Sequence, residues 1–115
     1  NSSMNENDKI RLQHILDAME DIESFVATLN REDFLRNKLV QSAVVRQFEI
    51  IGEAAGSLSE ETQKEYSHVP WRIMKNFRNV LIHQYFGVDF NEVYTVIENE
   101  LHSLKNDIQR IIASI

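Results

Sequence analysis

Residues 90–115 read FNEVYTVIENELHSLKNDIQRIIASI. Apolar residues recur along this stretch at intervals of three and four, which places them in one stripe on a helix. Directly before it, Asp89 and Glu92 have the spacing of a capping box. We therefore predict a long final helix, from about Phe90 to Ser114, that buries one face against partner helices. The stripe comprises Val93, Ile97, Leu101, Leu104, Ile108, Ile111 and Ile115.

The same periodicity recurs upstream and predicts further helices with short connections. Pro70 suits the first position of one of them, and Gly87 suits a left-handed cap at its end. Asn30 and Ser59 are suitable N-cap residues for two short helices. The predicted helices run from about Asn7 to Leu29, from Asn30 for a short turn, from Asn37 to Gly56, from Ser59 to Tyr66 and from Pro70 to near Gly87.

The chain has only one proline and three glycines, so it has few of the residues that form the turns between strands. We predict an all-α fold, an up-down four-helix bundle with one or two short extra helices. Residues 4–115 are predicted to form a single domain, and Asn1-Ser2-Ser3 are interpreted as a cloning remnant. The chain has no cysteine and no apolar run near the length of a membrane span, so we expect a soluble, cytoplasmic protein without membrane contact.

The acidic residues are distributed unevenly along the chain. There are 18 Asp and Glu, yet none lies among the 23 residues from Tyr66 to Val88. That window carries Arg72, Lys75 and Arg78. Two interpretations remain open on composition alone: a locally positive patch for a phosphate-bearing partner, or a buried helix with a few solvated cations. The net charge of -6 argues against a protein that coats nucleic acid non-specifically.

Within this window, Arg78 and His83 suit phosphodiester chemistry that needs no metal ion. A histidine can give or take a proton near neutral pH, and an arginine fork can bind a phosphate with two hydrogen bonds. On an ideal helix the two positions lie about 140° apart and do not share a face, whereas Asn79 and His83 do. With seven arginines and four histidines in the chain, the spacing alone is a weak signal.

Other constellations are weaker. The four histidines show no metal-ligand spacing, so we predict no metal and no cofactor. Gly52 and Gly56, four residues apart, most simply indicate close packing of helices and then helix termination. Glu53 could approach the basic helix, although a solvated carboxylate is the simpler interpretation.

Several of these segments together resemble the HepT-like branch of the HEPN superfamily. The similar segments are Ile50-Ile-Gly-Glu-Ala-Ala55, Val69-Pro-Trp71, Phe77-Arg-Asn-Val-Leu-Ile-His-Gln-Tyr-Phe86 and Val88-Asp89. Their joint occurrence in this order is far more specific than the Arg/His spacing, and the resemblance covers about Asp8 to Ile112.

The resemblance implies a helical homodimer that pairs two Arg/His motifs in one cleft that cuts RNA, with transfer RNA one candidate substrate. His83 would be the general acid or base, and Arg78 would hold the scissile phosphate. Asn79 would position substrate or histidine, and Lys75 and Arg72 would support substrate binding. The resemblance also implies a toxin whose nucleotidyltransferase antitoxin attaches AMP to Tyr85.

Two other hypotheses stay open. The chain could be a non-catalytic helical subunit that binds nucleotide or RNA and serves a small nucleotidyltransferase, in which case Arg78 and Lys75 would matter more than His83. It could also be an interaction scaffold whose apolar helix faces only dimerise. Cleavage of RNA by the purified protein would separate the first hypothesis from these two.

Overall fold

The structure, a computed structural model, describes residues 4–82 and 87–115, and of residues 79–82 it describes only the backbone. The described residues form helices joined by short connections. In chain order these are α1 (Glu6–Val26), α2 (Arg31–Leu35), α3 (Lys38–Ser57), α4 (Glu60–Glu65), α5 (Trp71–Ile82), α6 (Phe90–Val96), a π-helical turn (Ile97–Leu101) and α7 (His102–Ser114).

Short polar side chains begin most of these helices. Each accepts a hydrogen bond from a backbone N–H within the first turn, which satisfies a donor that has no partner inside the helix. Asn30 and Asp33 form a reciprocal capping box. The residues that cap in this way are Asn5, Asn30, Asn37, Ser59 and Asp89.

Helix α3 lies at the centre of the packing. It contacts α1, α2 and α5, and α1 also contacts α7. The core between them is apolar, and Phe48 on α3 meets Phe77 on α5 edge to face, with ring centroids 4.9 Å apart. Because α5 packs directly on α3, residues of α3 limit the space open to side chains on that side of α5.

The end of the chain differs from the single regular helix that we predicted. The predicted span is helical throughout, but one turn, Ile97–Leu101, has π-helical hydrogen bonding. Of the predicted stripe, Val93, Leu101 and Leu104 are buried, as are the two core isoleucines Ile108 and Ile111. Ile97 and Ile115 are only partly buried.

The all-helical prediction is confirmed for the described residues, with two boundaries corrected. Helix α1 ends at Val26 rather than Leu29, because the chain turns there and the Leu29 N–H donates to the Val26 carbonyl. Helix α5 begins at Trp71, one residue after Pro70, whose carbonyl accepts from the N–H groups of the first turn.

Gly87 has a φ of 89°, as expected of a residue in the left-handed region, while the predicted end of its helix falls among residues 83–86, outside the described residues. The predicted remnant at residues 1–3 is also outside them, and the up-down order of a four-helix bundle stays a prediction. None of the described helices is both long and apolar enough to cross a membrane.

Candidate functional site

The predicted basic segment forms the amphipathic helix α5. Its inner face consists of Trp71, Met74 and Phe77, which are all buried. The Trp71 indole N–H also donates to the Tyr66 carbonyl at 3.0 Å, which ties the start of α5 to the end of α4. The inner face thus fixes the rotation of α5, and the charged residues between these apolar positions are turned outward.

The three cations of α5 differ in how they are held. Arg72 and Arg78 are exposed, whereas Lys75 is partly buried. The Lys75 ammonium donates to the Gln63 side-chain oxygen at 2.6 Å, and the Gln63 amide donates to the Leu58 carbonyl at 2.9 Å. An ammonium has three donors, so Lys75 keeps two for a ligand while α4 holds its position.

Arg78 lies directly against the backbone of α3. A Cβ atom built on Gly52 would collide with Arg78 Cγ and would lie 3.2 Å from both Arg78 Cδ and the Arg78 backbone nitrogen. The stem of Arg78 therefore occupies the space that any other residue at position 52 would fill. This agrees with our interpretation of Gly52 as a point of close packing and identifies the side chain that uses the space.

The cations of α5 have no carboxylate partner among the described residues. Other cations do: Arg31 pairs with Glu98 at 3.2 Å, and Lys105 pairs with Glu23 at 2.6 Å. Within residues 4–82 and 87–115, Arg72, Lys75 and Arg78 form no ion pair. Cations without a carboxylate partner keep an uncompensated positive charge that an anionic ligand can meet.

The segment around α5 contains no acidic residue, but carboxylates from other helices line a cleft that this segment shares. The start of α5 and the residues before it face the π-helical turn and α7 across a cleft of about 320 Å³. Glu100 and Asp107 line this cleft opposite His68 and Ile73. The positive character of the segment therefore belongs to the outward-facing cations, and His68 shares its cleft with two carboxylates.

Several predicted site residues cannot be placed. His83 and Tyr85 lie outside the described residues, and the side chain of Asn79 is not described either. Of the predicted site, the structure thus places Arg72, Lys75 and Arg78 on one helix.

The carboxylates of α3 and α1 lie elsewhere. Glu53 is exposed and lines a groove with His14, Asp17 and Asp21 of α1, and no residue of α5 lines that groove. In the described part of the chain, no group of three or more His, Asp or Glu side chains could hold a metal ion.

A buried carboxylate elsewhere contrasts with these cations. Asp8 of α1 is fully buried and accepts hydrogen bonds from the Ser59 hydroxyl at 2.5 Å, the Thr62 hydroxyl at 2.7 Å and the Ser59 N–H at 3.2 Å. Arg11 Nη1 lies 3.4 Å from Asp8 Oδ1. Burial by itself would raise the pKa of Asp8, but the hydrogen bonds outweigh it and hold the pKa below its usual value. The sequence pattern does not reveal this cluster, because its partners lie about fifty residues apart.

Comparison with known proteins places the candidate site inside a recognised region. Residues 15–111 match a family model described as Ribonuclease HepT-like. A Thermococcus cleftensis protein named "Probable ribonuclease HepT" is 37% identical over 108 residues, which cover 94% of this chain and 98% of that protein. A Methanocaldococcus jannaschii protein named as a candidate RNase is 37% identical over 107 residues, which cover 93% of this chain and 88% of that protein.

Another M. jannaschii relative is longer. It is named for two activities, a gamma-glutamylcyclotransferase and a candidate RNase, and is 40% identical over 103 residues, which cover 90% of this chain. The match spans only 46% of that protein. No solved structure matches the chain significantly.

Proposed function

Because the chain belongs to the HepT-like ribonuclease family, we propose that it is an endoribonuclease that cuts RNA without a metal ion. The observation that supports this most is the state of Arg78. It is exposed, has no carboxylate partner in the described part of the chain, and lies with its stem against Gly52. It also lies inside the matched region and five residues before His83.

The proposed step is attack of a ribose 2′-hydroxyl on the adjacent phosphorus. A bond forms between the 2′-oxygen and phosphorus, and the bond from phosphorus to the 5′-oxygen of the next nucleotide breaks. One proton leaves the 2′-hydroxyl and one is delivered to the 5′-oxygen, and His83 serves as the general acid or base. Arg78 binds the phosphate and stabilises the charge that grows on its oxygens. The products carry a 2′,3′-cyclic phosphate and a 5′-hydroxyl.

The supporting cations suit a short stretch of RNA. Arg72, Lys75 and Arg78 follow one another at three-residue intervals on α5, so they can contact successive phosphates. Lys75 would do so from a fixed position because of its bond to Gln63. The net charge of -6 favours a confined site over a surface that binds any nucleic acid. We propose cellular RNA, with transfer RNA as one candidate, as a cytoplasmic substrate.

We further propose that the active enzyme is a homodimer in which two Arg/His motifs line one cleft. The support is geometric, because positions 78 and 83 are about 140° apart on an ideal helix, and a second subunit can supply the group that one helix turns away. Asn79 would then orient substrate or His83.

The proposal is tested by incubating the purified protein with RNA in the presence of EDTA. We expect the wild type to cleave and His83→Ala to lose cleavage while retaining its helical circular dichroism. RNA that stays intact across varied substrates would reject the proposal. Binding without cleavage would instead support the non-catalytic RNA- or nucleotide-binding subunit of a nucleotidyltransferase.

We also propose that the protein is the toxin of a toxin–antitoxin pair, silenced by a nucleotidyltransferase that attaches AMP to Tyr85. The support is the similarity of the segment around His83 to the family that has this regulation. Incubation with ATP and the active partner enzyme should add the mass of AMP to the wild type and not to Tyr85→Phe. An unchanged intact mass of the wild type would reject this form of regulation.

A further inference from the structure

We propose that Gly52 is a positioning residue for Arg78. The missing side chain at position 52 lets the stem of Arg78 lie across the backbone of α3, and this contact fixes the first half of the arginine side chain. The packing part of the inference stands on the described contacts alone. Its catalytic consequence rests on the proposed ribonuclease function.

The contact is specific to the arginine side chain. A Cβ on Gly52 would overlap Arg78 Cγ and crowd Cδ at 3.2 Å. Gly52 is buried in the middle of α3, where glycine is less favourable than alanine because it loses more backbone entropy on folding. The space that the Arg78 stem occupies explains why glycine stands at this position despite its cost.

The second glycine of α3 provides the contrast. Gly56 lies one turn further along the same helix, is exposed, and would have nothing within 4 Å of an added Cβ. The two glycines thus share a helix, and they differ in whether the arginine stem lies against them. Gly56→Ala is therefore a matched control for Gly52→Ala.

The consequence for the site is an arginine side chain with fewer free torsions between its backbone and its guanidinium. The position of Cγ is set by the first side-chain torsion and that of Cδ by the second, so contact with Gly52 restrains both. Only the later torsions, about the Cγ–Cδ and Cδ–Nε bonds, remain to orient the guanidinium. An exposed arginine held in this way loses less freedom when it binds a phosphate in the transition state, so the restraint should appear in kcat.

The packing is tested by thermal unfolding of four proteins: wild type, Gly52→Ala, Arg78→Ala and the double variant. With Arg78 present, we expect Gly52→Ala to lower the Tm by several degrees. In the Arg78→Ala background the colliding Cγ and Cδ atoms are gone, and the same substitution should lower the Tm much less, because only the contact with the backbone nitrogen at 3.2 Å remains and alanine is the better helix former. The backbone nitrogen of residue 78 is present in all four proteins. Its contact with Ala at position 52 therefore cancels when the two effects of Gly52→Ala on the Tm are compared.

The catalytic consequence is tested by steady-state RNA cleavage with the same variants. We expect Gly52→Ala to lower kcat by about tenfold or more, towards the value of Arg78→Ala, with KM changed much less. The double variant should be no slower than Arg78→Ala. Gly56→Ala should stay within about twofold of the wild type, because substitutions at exposed positions without special contacts have small effects.

The two measurements separate the possible failures. A wild type that does not cut RNA rejects the proposed function and leaves the unfolding comparison intact. Equal Tm changes for Gly52→Ala in both backgrounds, or a full kcat in folded Gly52→Ala, would overturn the role of Gly52. If Gly52→Ala does not fold, a folded double variant supports the contact, and an unfolded one overturns it.

Discussion

Asp8 and Arg78 show two opposite ways of placing a charge in this molecule. The Asp8 carboxylate is fully buried, and two hydroxyl groups and a backbone N–H of the segment that begins α4 donate to it. The Arg78 side chain is exposed and has a contact along its stem, but it has no carboxylate partner among the described residues. The fold supplies partners for the first charge and leaves the second available.

The difference separates stability from function. A buried charge with donors around it stabilises the packing of α1 against α4, and removing the charge leaves those donors unpaired. An exposed cation that is restrained along its stem contributes little to stability, yet it is ready for a ligand. Substitutions at the two positions should therefore damage different properties.

The largest expected effect is the loss of cleavage in Arg78→Ala. We expect the rate to fall by roughly 10²–10³-fold, because a group that stabilises charge on the reacting phosphate is removed. The free energy of unfolding should change by less than about 1 kcal/mol, since the side chain is exposed. Single-turnover cleavage and urea unfolding measure the two quantities.

Arg46→Ala is the matched control for that variant. Arg46 is also exposed, forms no ion pair within the described residues, and lies on α3 rather than α5. The Arg46→Ala variant should cleave RNA at the wild-type rate. A similar loss of activity in both variants would mean that net charge, and not the position of Arg78, supports cleavage.

The next effect is a loss of stability in Asp8→Ala. Removing the carboxylate leaves the buried Thr62 hydroxyl and the partly buried Ser59 hydroxyl without their acceptor, which should cost about 3 kcal/mol of unfolding free energy. Cleavage measured well below the Tm should stay close to the wild-type rate. The exposed Glu20→Ala on the same helix is the control and should unfold like the wild type. A stable Asp8→Ala would contradict the stabilising role of the cluster.

A smaller effect concerns pH. The pKa of Asp8 is lowered in the folded protein, so its contribution to stability is complete above the unfolded carboxyl value of about 3.9. It is lost as the pH falls from there through the lower folded value. The unfolding free energy should therefore decline on acidification less steeply in Asp8→Asn than in the wild type. Identical slopes in urea unfolding across this range would refute the contribution of Asp8.

The smallest effect belongs to Arg72, at the edge of the proposed site. If Arg72 contacts one phosphate, Arg72→Ala should weaken RNA binding a few-fold and reduce the slope of log affinity against log salt by about 0.7. Lys38→Ala, an exposed cation at the start of α3, should leave the slope unchanged. Binding to catalytically inactive His83→Ala at several salt concentrations gives both slopes. An unchanged slope in Arg72→Ala would remove this residue from the site.

Helix positions were largely predictable because they follow from local patterns. Asn30, Ser59 and Asp89 cap helices as expected, since a cap depends only on the next few residues. The π-helical turn was missed, because the spacing of the apolar residues does not reveal it. Val93, Ile97 and Leu101 follow at two successive intervals of four, but so do Val40, Val44 and Phe48 in the regular helix α3.

Contacts between distant segments were not predictable in the same way. The spacing of Gly52 and Gly56 indicated close packing, but only the structure shows that Arg78 uses one of them. Nothing near Asp8 in the sequence indicates that Ser59 and Thr62 donate to it, because these partners come together only when α1 packs beside α4. The Arg/His pair remains a prediction, since His83 lies outside the described residues.

The most direct test of the central claim is the chemistry of the RNA ends that the purified wild-type protein produces in EDTA. Attack by the 2′-hydroxyl with Arg78 on the phosphate predicts fragments with a 2′,3′-cyclic phosphate and a 5′-hydroxyl, absent with His83→Ala. Fragments that carry a 3′-hydroxyl and a 5′-phosphate, or the same fragments from His83→Ala, would contradict it.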